Sequence, residues 1–168
     1  MPYTVISSGG VAFGCAIIIA FALRWWFKEG HTPTALVPFV LAWLYGMLAA
    51  LATYNAVSAL GIITWLTIWA GNLAGHVSLV WGVGGVDRNV TRATPIVLED
   101  GGYVIVLFFT VVIVALWLWA KRIPRGKLAA GAISGALLAL SGTVAGIAAI
   151  PLGSAVNAAG AVFTGYMG

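Results

Sequence analysis

Charge is what this chain has least of. Eight Lys or Arg and four Asp or Glu stand among 168 residues, against roughly a quarter of residues in soluble domains. That scarcity excludes an ordinary water-soluble domain. The charges also keep to three clusters: Arg24, Lys28 and Glu29; then Asp87, Arg88, Arg92, Glu99 and Asp100; then Lys121, Arg122, Arg125 and Lys127. The runs between them, 1–23, 30–86, 101–120 and 128–168, match or exceed the roughly 20 residues that cross a bilayer. A charge at the membrane centre costs at least about 2.5 kcal/mol on the insertion scale, so this spacing is what a lipid-embedded chain requires.

Other scarcities narrow the chemistry. Cys15 is the one cysteine, so no intramolecular disulfide forms, and its apolar surroundings suggest a buried, inert thiol. No Asp or Glu falls within an apolar run, which removes the carboxylate relay of proton-coupled pumps and transporters. Two histidines and one cysteine are too few for a zinc site without carboxylates. A two-histidine haem would need loop residue His31 to meet His76. Neither metal nor cofactor is therefore expected. Ser134 and Ser141 lack any nucleophile motif to pair with His76, so the chain does not read as an enzyme. No basic residue precedes the first apolar run, unlike a secretory signal peptide. The net charge of +4 arises mostly in the loop at 121–127 and speaks to topology, not to nucleic-acid binding.

What remains is apolar and small. A mean hydropathy of +1.07 with 62% hydrophobic residues indicates an all-α, polytopic transmembrane helical bundle forming a single integral membrane domain. Four full spans are expected at about 11–27, 35–52, 103–119 and 128–150, with a glycine-rich segment at 61–83 that re-enters or spans. An apolar tail follows at 151–168, after Pro151. Trp25 and Trp26, and Trp117 and Trp119, lie beside basic residues as interfacial anchors. If 61–83 spans, the positive-inside rule is tied; if it re-enters, the loops at 24–31 and 121–127 share the cytoplasmic side. The basic residues Lys121, Arg122, Arg125 and Lys127 suit anionic lipid headgroups, each contributing about 1 kcal/mol near such a surface.

The best candidate site lies in the glycine-rich segment. As a helix it places Trp65, Trp69, Asn72 and His76 at i, i+4, i+7 and i+11, one face carrying two indole donors, an amide and an imidazole. One reading is a pore-lining or ligand-contacting strip, with His76 able to change charge near neutral pH. The plainer reading is that Asn72 and His76 hydrogen-bond across a helix interface while the tryptophans pack. Glycines supply a second signal. Gly10/Gly14, Gly71/Gly75, Gly131/Gly135 and Gly142/Gly146 are GxxxG pairs, and such small residues let helix backbones approach closely. On one continuous helix Gly131, Gly135, Gly142 and Gly146 would align, because eleven residues make about three turns. Their partner would be another helix of the chain or a second copy.

These features suggest a small homo-oligomeric pore or channel in the cell membrane, surrounded by lipid. In size, span number and basic loops the chain is similar to small membrane-opening proteins such as phage holins, a likeness of composition with no shared motif. The alternative is a non-catalytic subunit or scaffold of a larger envelope, secretion or conjugation assembly, held among other membrane subunits.

Overall fold

The computed structural model describes residues 5–52, 58–90, 98–120, 124–139, 141 and 144–166. The protein is all-helical, and no strand forms among these residues. Helix α1 spans Ser8–Lys28, α2 Pro33–Ala52 and α3 Ala59–His76, which runs on as a π-helical segment, Val77–Gly82. Then come α4 (Asp100–Trp119), α5 (Arg125–Ala139) and α6 (Val144–Gly165). Helices α1, α2, α3 with its π extension, and α4 are each long and apolar enough to cross a membrane.

Three expected spans fall inside α1, α2 and α4, and capping explains the earlier start of α1. The Ser7 hydroxyl accepts the Gly10 N–H at 3.1 Å. Ser58 accepts the Gly61 N–H at 3.0 Å in the same way and begins α3. Each serine satisfies one of the free donors of a first turn. The segment expected to re-enter or span is one uninterrupted helix as far as Gly82. Its interior glycines Gly61, Gly71 and Gly75 are buried packing positions, not breaks. The chain turns only beyond the π segment, where Gly84 adopts φ 77°, a conformation that favours glycine.

The span expected at 128–150 is not one helix. Helix α5 ends at Ala139, and α6 begins at Val144. The Ser141 N–H and hydroxyl both reach the Leu138 carbonyl, at 3.1 and 2.7 Å, a local closure that competes with helix continuation. The apolar tail expected at 151–168 continues a helix that begins before it, with Pro151 inside α6. The continuous stripe of Gly131, Gly135, Gly142 and Gly146 is therefore overturned. Gly131 and Gly135 lie on α5, Gly146 lies on α6, and Gly142 falls outside the described residues.

Helix α5 occupies the middle of the bundle, with Leu128, Gly131 and Ser134–Ala139 buried. It runs alongside α2 in the same direction. A side chain on Gly131 would meet the Phe39 carbonyl at 2.5 Å, and one on Gly135 would strike the Trp43 carbonyl. Helix α1 crosses α3 where Gly9 faces Gly75, and α4 crosses α6 where Gly101 faces Gly160. Gly71 and Gly14 both receive Leu137 of α5. Lipid offers no hydrophobic drive between helices, so such close approaches supply the packing.

The charge clusters segregate between the two ends of the bundle. Lys127, in the first turn of α5, reaches Glu29 in the loop after α1, with Nζ 2.6 Å from Oε2. This joins the first and third clusters at one end. Asp87 and Arg88 lie instead at the start of α1, about 30 Å away at 1.5 Å per residue. Two expectations change here. Lys127 is buried at 8% exposure and so does not belong to a headgroup-facing loop. Cys15 is exposed on the outward surface of α1 rather than buried.

Candidate functional site

The largest polar constellation among the described residues joins the first turn of α1, the last turns of α3 and the extended segment 83–90. That segment doubles back along α3 beyond Gly84 and pairs with the residues before α1. The Ser8 N–H donates to the Arg88 carbonyl at 2.7 Å, and the Val90 N–H to the Ile6 carbonyl at 2.9 Å. Isolated backbone pairing of Ser7 with Asn89 accompanies them.

Asn72 and His76 both enter this junction. Asn72 Nδ2 donates to the Val5 carbonyl at 2.8 Å, while its Oδ1 accepts the Ser7 N–H at 3.2 Å. The Asp87 carboxylate is the hub. Its Oδ1 accepts the Gly9 N–H at 2.8 Å and the Ser8 hydroxyl at 3.1 Å, and its Oδ2 lies 3.0 Å from His76 Nδ1. Asp87 is nearly enclosed, its side chain 10% exposed, whereas that of His76 is 47% exposed. Burial works against the charge on Asp87. The bonds from Gly9, His76, Ser8 and Ser7 outweigh it and hold the carboxyl below its ordinary range. Its place on the first turn of α1 also favours an anion.

The tryptophans part company with the amide and imidazole. Gly61, Thr64, Ile68, Gly71 and Gly75 form the buried stripe of α3, and Trp65, Trp69, Asn72 and His76 form the stripe beside it. Trp65 is 37% and Trp69 56% exposed, so each presents part of its indole outside the bundle. Asn72 and His76 sit where that stripe meets α1. The four residues thus share a helix face, as the spacing requires, but only two reach the polar junction.

Sequence reasoning missed Asp87, Ser7 and Ser8. The Ser-Ser-Gly-Gly run ahead of the first apolar stretch is a helix-start signal that identifies the cap. Nothing local links it to an aspartate almost eighty residues on.

Ser8, His76 and Asp87 have the residue types of a nucleophilic triad, but the hydroxyl meets the carboxylate, not the imidazole. No nucleophile–base contact results. Ser134 and Ser141 hydrogen-bond the carbonyls of Gly131 and Leu138 in their own segments. His31 lies at the opposite end of α1 from His76, wedged against Trp26 with ring centroids 4.1 Å apart, so the two imidazoles do not meet. No cluster of three or more His, Cys, Asp or Glu suited to a metal occurs among the described residues.

A second charged group closes the other end. Lys127 Nζ donates to Glu29 at 2.6 Å and to the Ala35 carbonyl at 3.1 Å, and it sits 5.6 Å from the Phe21 ring centroid. Phe21 stacks on Phe39 at 3.9 Å. Arg24 Nε approaches Glu29 at 3.4 Å. The hydrogen bond from Lys127, and then the charges of Lys127 and Arg24, hold Glu29 below the usual carboxylate range despite its partial burial. The pair ties α1, α2 and α5 together and leaves Arg24 and Arg125 exposed. Lys121 and Arg122 lie outside the described residues.

No known protein family matches this chain, and comparison with curated proteins and with solved structures gives no match either.

Proposed function

We propose that the protein is a homo-oligomeric pore or channel of the cell membrane, lined by the outer face of α3. One observation carries this reading. Among the described residues α3 is the least apolar of the four helices long and apolar enough to span, yet Trp65 and Trp69 on it are exposed, and the His76 ring, though bonded to Asp87, is 47% exposed. Tryptophans favour the headgroup level, and imidazoles within a span favour protein or water. Trp69 stands near the middle of the 24-residue stretch Ala59–Gly82, where a lipid-facing indole has no polar partner. A ring of copies placing α3 inward gives all three side chains a neighbour or an aqueous path. The glycines that pack helices within the chain are already occupied, so the copies meet through α3 and not through Gly131 or Gly135. The observed pairing of Lys127 with Glu29 gathers Arg24, Lys28, Arg125 and Lys127 at one end, and the positive-inside rule applied to that end, not to a count of spans, turns it to the cytoplasm.

Mass measurement of the purified protein in nanodiscs, paired with ion flux in liposomes, tests the reading. A discrete oligomer that conducts, and loses conductance in His76→Ala, supports it. A stable assembly with no flux refutes the pore and leaves a structural subunit of a larger membrane complex.

A further inference from the structure

We infer that Asp87 is the positioning residue for His76, holding its imidazole as the Nδ1–H tautomer and presenting a bare Nε2 outward as an acceptor for a proton or a cationic hydrogen-bond donor. The inference deepens the pore reading, on which only its functional consequence rests.

An ionised carboxylate has no proton to give. Both oxygens of Asp87 are engaged, Oδ1 by the Gly9 N–H and the Ser8 hydroxyl and Oδ2 by His76 Nδ1 at 3.0 Å. The hydrogen in the last contact therefore belongs to Nδ1. In a neutral imidazole the other nitrogen is then a lone-pair acceptor. Nε2 has no hydrogen-bond partner among the described residues, and the His76 side chain is 47% exposed. Asp87 cannot swing away easily, because the first turn of α1 and the pairing of segment 83–90 with Ser8 and Ile6 fix its backbone.

The groups around this pair give the exposed nitrogen its selectivity. From α1 come Ser7, Ser8 and the Gly9 amide, and from α3 comes Asn72; none of these titrates. The neighbouring segment contributes the charges of Asp87 and Arg88, the Arg88 backbone bonding Ser8. With Asp87 anionic and the ring neutral, the pair carries one negative charge. A proton arriving at Nε2 cancels it. An anion arriving there meets a lone pair backed by a carboxylate. The lone pair at Nε2 is thereby matched to protons and small cationic donors and mismatched to anions.

Asp87→Asn tests this because it preserves shape while reversing one hydrogen-bond role. The Gly9 and Ser8 donors retain the amide oxygen, which turns the amide N–H₂ toward His76 Nδ1. That nitrogen must then accept, and the proton moves to Nε2. Full-length protein labelled with ¹⁵N-histidine in nanodiscs, assigned with His31→Gln, reads the tautomer directly at mildly alkaline pH. The expected result is Nδ1–H in the wild type and Nε2–H in Asp87→Asn. Asp87→Ala, which removes the partner altogether, should give a mixture of the two. An Nε2–H tautomer in the wild type, or the same tautomer in wild type and Asp87→Asn, overturns the inference. A structural role alone would not invert the tautomer while the fold persists. Proton flux in liposomes judges the pore separately. Wild-type flux lost in Asp87→Asn supports both conclusions. An inverted tautomer with no flux in any protein upholds the positioning role and refutes the pore.

Discussion

Glu29→Gln keeps the shape of the Glu29 side chain but removes the charge opposite Lys127, whose ammonium lies 2.6 Å away on a side chain only 9% exposed. Removing one partner of a deeply buried ion pair costs about 3–5 kcal/mol, because the other charge is left uncompensated. Glu29 is 15% exposed and lies at the end of the bundle, so screening lowers the expected cost to about 2–3 kcal/mol. Lys127→Met should cost less, about 1 kcal/mol: Met refills the space beside Phe21, and Glu29 keeps Arg24. The order is therefore Glu29→Gln worse than Lys127→Met, with the double variant close to Lys127→Met alone. Acid supplies a second check. The Glu29 carboxyl is held below its usual range in the folded protein, so the unfolded chain binds the proton more readily. Stability from the pair is complete above the ordinary glutamate value of about 4.3 and disappears as pH falls through the lower folded value. The gap between wild type and Glu29→Gln should close over that interval. Reversible unfolding by SDS titration in mixed micelles, followed by tryptophan fluorescence at neutral and acid pH, measures both. A larger loss in Lys127→Met than in Glu29→Gln, or a gap that persists unchanged in acid, would refute the reasoning.

Three further outcomes are expected. Gly135→Ala drives a methyl into the Trp43 carbonyl and should cost about 1–3 kcal/mol or more through overpacking. Gly126→Ala has nothing within 4 Å and should be neutral or stabilising by up to about 1 kcal/mol; the same titration ranks the two. Asn72→Leu strips partners from the Val5 carbonyl and the Ser7 N–H and should cost about 1–3 kcal/mol. Hydrogen exchange should then quicken at the amides around Ser7 and Gly10 and remain slow at the centre of α5. Trp69→Ala should change folding stability by no more than about 0.5 kcal/mol while altering the oligomer's mass or its flux. Loss of folding in its place would show that Trp69 packs within its own bundle.

Much of the fold was legible because charge and hydropathy act locally. Arg24, Lys28 and Glu29 bound the first helix, and Lys121 to Lys127 follow the fourth. The division between α5 and α6 was not legible, since residues 128–150 contain no charge to mark it. Ser141 bonds back to Leu138 just beyond α5, but Ser134 makes the same bond to Gly131 inside α5, so a serine there does not announce a break. Pro151 misled in the opposite direction: it marks an expected helix end but lies inside α6, as membrane helices tolerate. At the candidate site, helical spacing placed Trp65, Trp69, Asn72 and His76 on one face. It could not say that Asn72 and His76 reach α1 while the tryptophans face outward. That depends on Gly75 meeting Gly9, a contact between residues far apart in the chain. Lys127 likewise reads as one more loop cation until Glu29 is found beside it.

The central helix constrains how the protein is made. At 15 residues, α5 is about 22 Å long, short of the roughly 30 Å hydrocarbon core. It also carries a lysine in its first turn. Such a helix gains little by entering lipid alone, and its last carbonyls would be stranded at membrane depth. Its cradle of α1, α2 and α3 is synthesised first, complete with the glutamate that receives Lys127. Insertion of this chain therefore has an order. Helices α1 and α2 enter the bilayer as independent spans, and α5 follows by docking into protein, so a membrane-integration assay on truncated chains should find α5 retained only when α1 and α2 precede it.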